Sequence, residues 1–178
     1  MKKQRELPKE LEDDFFFLRS KPFDENQAPL SAAELEKFPY FLFELSFYWN
    51  SPIEEYPWEN PEKSIPILLN KWEKIREGLE RKFSKREKVL KSEMRAGIAL
   101  FFMLMFWSNS APVELSNWKE KMDGFYAKPV NGAERLQFIM ERPNSYPAFR
   151  QLDELFTEQY KQYAKMTAIQ KRKQKEAK

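Results

Sequence analysis

The sequence predicts an all-α protein: a single-domain helical bundle of about six helices around a buried central helix at residues 84–109. Three observations predict it. The run Ala96 to Trp107 is apolar throughout, and a helix apolar on every side must be covered by neighbours all round. Only four glycines among 178 residues, with 33% charged, favour helices over a sandwich or a nucleotide-binding sheet. Apolar residues spaced three and four apart recur on both sides of the run.

The first 30 residues form an irregular arm, broken by Pro8, Pro22 and Pro29. Its aromatic knot, Phe15-Phe16-Phe17-Leu18, is expected to dock on the body, since three adjacent Phe in water would promote aggregation. The helical domain spans residues 31–163. Ser31-Ala32-Ala33-Glu34 reads as a capping box, and the aromatic segment to Trp49 kinks or restarts at Pro39. Glu44 is the lone charge between Tyr40 and Trp49. The simpler reading puts it on a narrow solvent-facing strip. Buried, it needs a partner, and Arg95 at the mouth of the apolar run is the candidate for that ion pair. A proline-rich loop, 50–64, follows, with Tyr56 and Trp58 to pin it and Glu54, Glu55, Glu59 and Glu62 as a solvated rim.

Ile65, Leu68, Trp72, Ile75, Leu79 and Phe83 make one apolar face, with Pro66 in the first turn. Ser84 and Glu87 read as the capping box of the central helix, so the two helices form an antiparallel hairpin. Ala96, Gly97 and Ala99 are small enough to admit another backbone. A further helix is expected from Ser110, with Leu115, Trp118, Met122 and Phe125 inward, and ends by Gly124. Asn131 to Glu134 caps the next, which carries Leu136, Phe138, Ile139 and Met140 and stops at Pro143. Ser145-Tyr146-Pro147 opens the last, with Phe149, Leu152, Leu155, Phe156, Tyr160 and Tyr163 on one side. Residues 164–178 form a basic tail without an apolar period, expected to fray or be disordered.

Composition narrows the chemistry. The chain has no cysteine and no histidine, which excludes disulfides, thiolate or imidazole metal sites and Cys- or His-assisted nucleophiles. No cofactor, catalytic residue or metal ligand is expected. Adjacent carboxylates such as Asp153 and Glu154 point to different sides and make no shared acid–base site. The charged start lacks the apolar stretch of a secretory signal. The apolar run spans about 18 Å as helix, short of a bilayer core of roughly 30 Å. No membrane role and a cytoplasmic location are therefore expected.

Net charge is +3, but it is segmental. Residues 1–62 hold seven basic and fourteen acidic side chains, while 63–110 hold eleven and five. The acidic third and the basic middle are expected to face each other. Two basic clusters stand out: Lys82, Lys85, Arg86, Lys88 and Lys91 at the hairpin corner, and Lys171, Arg172, Lys173 and Lys175 in the tail.

The stretch Asn131 to Pro143, running on through Tyr146 to Phe156, resembles the YpoC-like family of uncharacterised bacterial proteins. Phe38-Pro39-Tyr40-Phe41 and Pro57-Trp58-Glu59 look like its N-terminal half. The resemblance covers roughly residues 38 to 163 and rests on packing and capping motifs, with no catalytic residues to carry over. It implies an association with DNA-repair and replication-initiation genes, beside which members sit. The expectation is a non-catalytic helical accessory module with a protein partner. The alternative is weak, sequence-independent nucleic-acid binding through the basic clusters, whose phosphate contacts would be salt-sensitive.

Overall fold

A computed structural model describes residues 4–17, 23–24, 40–51 and 53–178. The fold is all-α, and the described residues hold six α-helices: α1 (Leu42–Tyr48), α2 (Pro61–Ser84), α3 (Lys91–Ser108), α4 (Trp118–Asp123), α5 (Gly132–Glu141) and α6 (Tyr146–Glu176). In the arm a two-residue antiparallel pair joins β1 (Gln4–Arg5) to β2 (Phe23–Asp24), with Gln4 opposite Asp24. The expected capping box at Ser31–Glu34 and the break at Pro39 lie outside the described residues.

α3 is enclosed on every side, and each residue from Gly97 to Ser108 is buried. α2 runs antiparallel along it and α6 closes the second side, with the Trp72 and Phe156 rings stacked at 4.2 Å between them. Gly97 lets these helices approach: a Cβ there would lie 2.7 Å from Trp72 Cζ3 and 3.2 Å from Leu152 Cδ2. The arm and α1 cover the third side, where Phe16 meets Phe102 at 5.7 Å and Phe43 meets Trp107 at 6.1 Å. Trp118 and Phe125 cover the fourth, against Phe102 and Phe106 at 5.4 and 4.9 Å. Edge-on geometry dominates these pairs, as the ring quadrupole favours.

Several boundaries differ from the sequence reading. Ser84 does not begin the central helix; it ends α2, and its hydroxyl donates to the Arg81 carbonyl. α3 starts at Lys91, where Glu93 accepts the Leu90 amide at 2.7 Å. α2 starts four residues early, at Pro61, so Pro66 stands inside it with its ring exposed. The segment after Ser110 stays irregular until Trp118, and the Asn131 side chain makes no cap hydrogen bond because its backbone is left-handed (φ 51°). Tyr160, placed on the apolar side of the last helix by its spacing, is exposed, as is Phe138 in α5.

The basic tail is a further correction, for α6 continues to Glu176 instead of fraying after Met166. Residues 164–176 are rich in Ala, Lys, Gln, Arg and Met, and a formed helix extends through good helix formers without tertiary help. Lys171 adds an ion pair to Glu62 at 3.0 Å. Among the described residues no helix is long and apolar enough to cross a membrane.

Candidate functional site

Glu44 lies fully buried in the middle of α1, not on a solvent-facing strip. Its Oε1 accepts the Trp107 indole N–H at 2.6 Å and the Val113 amide at 3.2 Å, while Oε2 has no partner among the described residues. Burial pushes its carboxyl up to about 7, against the two hydrogen bonds that oppose the shift. The expected ion pair with Arg95 does not form. Arg95 and Trp107 sit at opposite ends of α3, about 18 Å apart at 1.5 Å per residue, and Glu44 packs at the Trp107 end. The Arg95 guanidinium instead lies 5.8 Å from the Phe15 ring centroid, beside Lys91 at 5.4 Å. There the arm meets the basic middle through an aromatic ring.

The partner of Glu44 was legible in one respect. A buried indole N–H needs an acceptor, and Trp107 carries the indole of the apolar run. What the sequence withheld was which acidic residue the fold brings there.

The basic residues fall into two groups at opposite ends of the bundle. Lys85, Arg86, Lys88 and Lys91 are exposed at the α2–α3 corner. Lys82 there is bonded to Glu93; burial works against the Glu93 carboxylate, yet Lys82 and the Leu90 amide hold it below its usual range. Tyr146, exposed at the start of α6, packs against Phe83 at 5.4 Å, and Leu90 is exposed in the same corner. Spacing alone did not single out either apolar side chain. Lys171, Arg172, Lys173 and Lys175 project from the far end of α6, tied to the start of α2 through Glu62. Twenty residues of α2 separate Glu62 from Lys82, roughly 30 Å, so the two groups make no single surface.

A third feature had no sequence signal. An open groove of about 610 Å³ lies between α4 and α5, bounded by Lys119, Met122, Lys128, Gln137, Phe138 and Glu141. Its floor is tight: a Cβ on Gly132 would fall 2.2 Å from Met122 Cε and 2.8 Å from Pro129 Cγ. Its walls are fixed. Arg135 holds α5 to α6 through both oxygens of Glu158 at 2.9 Å and through Gln151 at 3.0 Å, and donates to the Val130 carbonyl at 3.2 Å. Asn109 exchanges hydrogen bonds with the Ala127 backbone at 3.0 and 2.7 Å, which anchors the loop before α5. With the backbone pinned, the Phe138 side chain is left in solvent at its rim, and Val130, between the lining residues Pro129 and Asn131, is exposed beside it.

Among the described residues no three Asp, Glu, His or Cys side chains gather as a metal ion would require. The surface of the bundle carries one groove between α4 and α5 and two separated cationic ends.

A sequence model of the family described as YpoC-like protein matches residues 62–171, from α2 into the tail of α6. The chain is also similar to the "Uncharacterized protein YpoC" of Bacillus subtilis (strain 168), 37% identical over 115 residues, covering 64% of this chain and 70% of that one. No solved structure matches.

Proposed function

The chain belongs to the YpoC-like family, and from that footing we propose that it is a non-catalytic accessory module binding a protein partner along the α4–α5 groove. The observation that carries this reading is the exposed Phe138 side chain at the rim of a groove with rigid walls, with exposed Val130 between the lining residues Pro129 and Asn131. Exposed apolar groups held on a fixed scaffold bind at low entropic cost, since little has to be ordered on contact. A cytoplasmic setting is part of the proposal. The test is affinity capture with the wild-type chain and with Val130→Asp and Phe138→Glu variants, each with and without nuclease. The reading expects a partner retained after nuclease treatment and lost with either variant; a partner indifferent to both variants contradicts it.

A second reading, weak and sequence-independent nucleic-acid binding linked to DNA repair or replication, draws on the α2–α3 corner. There Lys85, Arg86, Lys88 and Lys91 are exposed beside Leu90 and Tyr146. Cationic side chains neutralise phosphates and an exposed ring can stack on an unpaired base. Mobility shifts with single-stranded and duplex DNA at ~50 mM salt test it. Binding lost in an Arg86→Glu, Lys88→Glu double variant supports it, and no shift of the wild type at that salt retires it.

A further inference from the structure

α1 departs from the rest of the bundle in how it is built. Its N-terminal flank, Phe41, is a bulky buried side chain on a left-handed backbone (φ 65°). Such a conformation costs on the order of 1–2 kcal/mol and persists only where surrounding packing enforces it. One turn on, Glu44 is a fully buried carboxyl with no cation beside it and one oxygen unpartnered, and the buried Ser46 hydroxyl also lacks a partner among the described residues. Unpaired buried polar groups are costly, and a charged one far more so. The family match begins at Glu62, so these departures lie in the segment outside it.

That segment has a specific place. Phe16, Phe43 and Trp58 pack on Phe102 and Trp107, closing one side of α3. Three polar links tie α1 to the end of α3 and the loop after it: Glu44 to Trp107, Glu44 to Val113, and the Tyr48 hydroxyl to the Val113 carbonyl at 3.0 Å. Two of the three end on the carboxyl.

We propose that α1, with residues 6–17 packed beside it, is a proton-controlled cover over the Phe102–Trp107 face of α3, closed while Glu44 is protonated and released as it ionises. Protonated, Glu44 is a neutral acceptor for both N–H donors. Ionised, it is an anion sealed in an apolar site whose titratable neighbours among the described residues are all acids. Tyr48, on its own helix, is held protonated by burial and by the negative charges of Glu44, of Glu114 on the loop after α3 and of Glu10 on the arm, so none of these groups supplies Glu44 with a counter-charge. Glu59, on the turn that carries Trp58, is committed to the Tyr56 amide at 2.7 Å. No cation faces the site from α3, whose contribution is the Trp107 indole. The carboxyl's rise to about 7 puts the transition near neutral pH. Opening lets water reach the carboxylate and relieves the left-handed turn at Phe41.

Amide hydrogen exchange on the full chain at pH 5.5 and pH 8, corrected for intrinsic rates, tests this. The expected result is a fall of about tenfold or more in protection at Leu45 and Trp49, with Leu104 and Leu155 unchanged. Glu44→Gln, which keeps the acceptor and removes the charge, should hold α1 protected at both pH values. Uniform protection of α1 across this range in the wild type overturns the proposal. So does a loss of equal size in α3 and α6, which would make Glu44 a determinant of global stability only. If Glu44→Gln does not fold, proteolytic cleavage near Asn50 in the wild type at the two pH values decides the matter: faster cleavage at pH 8 with an intact core supports release, and equal rates exclude it.

Discussion

At the scale of single residues, Glu44 sets the pH response of α1 and its closure on the bundle. Its carboxyl binds a proton more tightly in the folded chain, at about 7, than at its ordinary value of 4.5. The stability this gives is complete below about pH 4.5 and is lost as pH rises through 7, roughly 3 kcal/mol in all. Amide protection of α1 measured from pH 5 to pH 8 should show that decline, and Glu44→Gln should flatten it. Trp107→Phe removes the shorter of the carboxyl's two hydrogen bonds and leaves a gap in the core, so a loss of about 2–4 kcal/mol is expected at neutral pH. A variant with wild-type stability would mean the indole bond contributes little.

At the scale of elements, three helices end in the same way without a glycine. α1, α2 and α3 each close on a left-handed residue, Asn50 (φ 54°), Arg86 (φ 55°) and Ser110 (φ 57°). The amides that follow reach back to Ser46, Lys82 and Phe106 at 2.8, 2.8 and 3.1 Å. Glycine is the residue such a position favours, so Arg86→Gly and Ser110→Gly should each stabilise the chain by about 1 kcal/mol in urea melts. The same feature explains why the end of α2 was misread. With no glycine marking the stop, Ser84 and Glu87 imitated a start, whereas the true start rests on Glu93 and a backbone amide. Apolar spacing placed α2, α3 and α6 correctly because each has a long face in the core; α4 is six residues long, too short for a period to register. Two glycines make an opposed pair. Gly78 has nothing within 4 Å of a Cβ, so Gly78→Ala should stabilise α2 by about 1 kcal/mol. Gly97→Ala drives a methyl into the Trp72 ring and should cost about 1–3 kcal/mol despite the better helix former.

At the scale of the whole molecule, the bundle was legible and its surfaces were not. A long apolar run, a glycine-poor composition and helical spacing all report burial, which is decided by each residue's own chemistry. Which surface groups become neighbours depends on how helices pack, and there the sequence misled. It set Arg95 beside Glu44 when a helix length divides them, and it counted the corner and tail cations together when α2 holds them about 30 Å apart. The groove rim at Phe138 went unread because a groove between two short helices depends on how they pack and leaves no periodic mark in either. The exposed end of α6 contributes helix without core. Truncation after Thr167 should therefore leave the urea midpoint nearly unchanged while lowering the helical circular-dichroism signal. The most direct test concerns the enclosure of α3. The chain has no cysteine, so a single introduced thiol reports without background. Ala99→Cys, fully buried, should react with a thiol reagent in native buffer at least ~1000-fold more slowly than Ser84→Cys, gaining reactivity only as the chain unfolds. Comparable rates at the two sites in the folded protein would contradict the enclosed helix on which the fold is built.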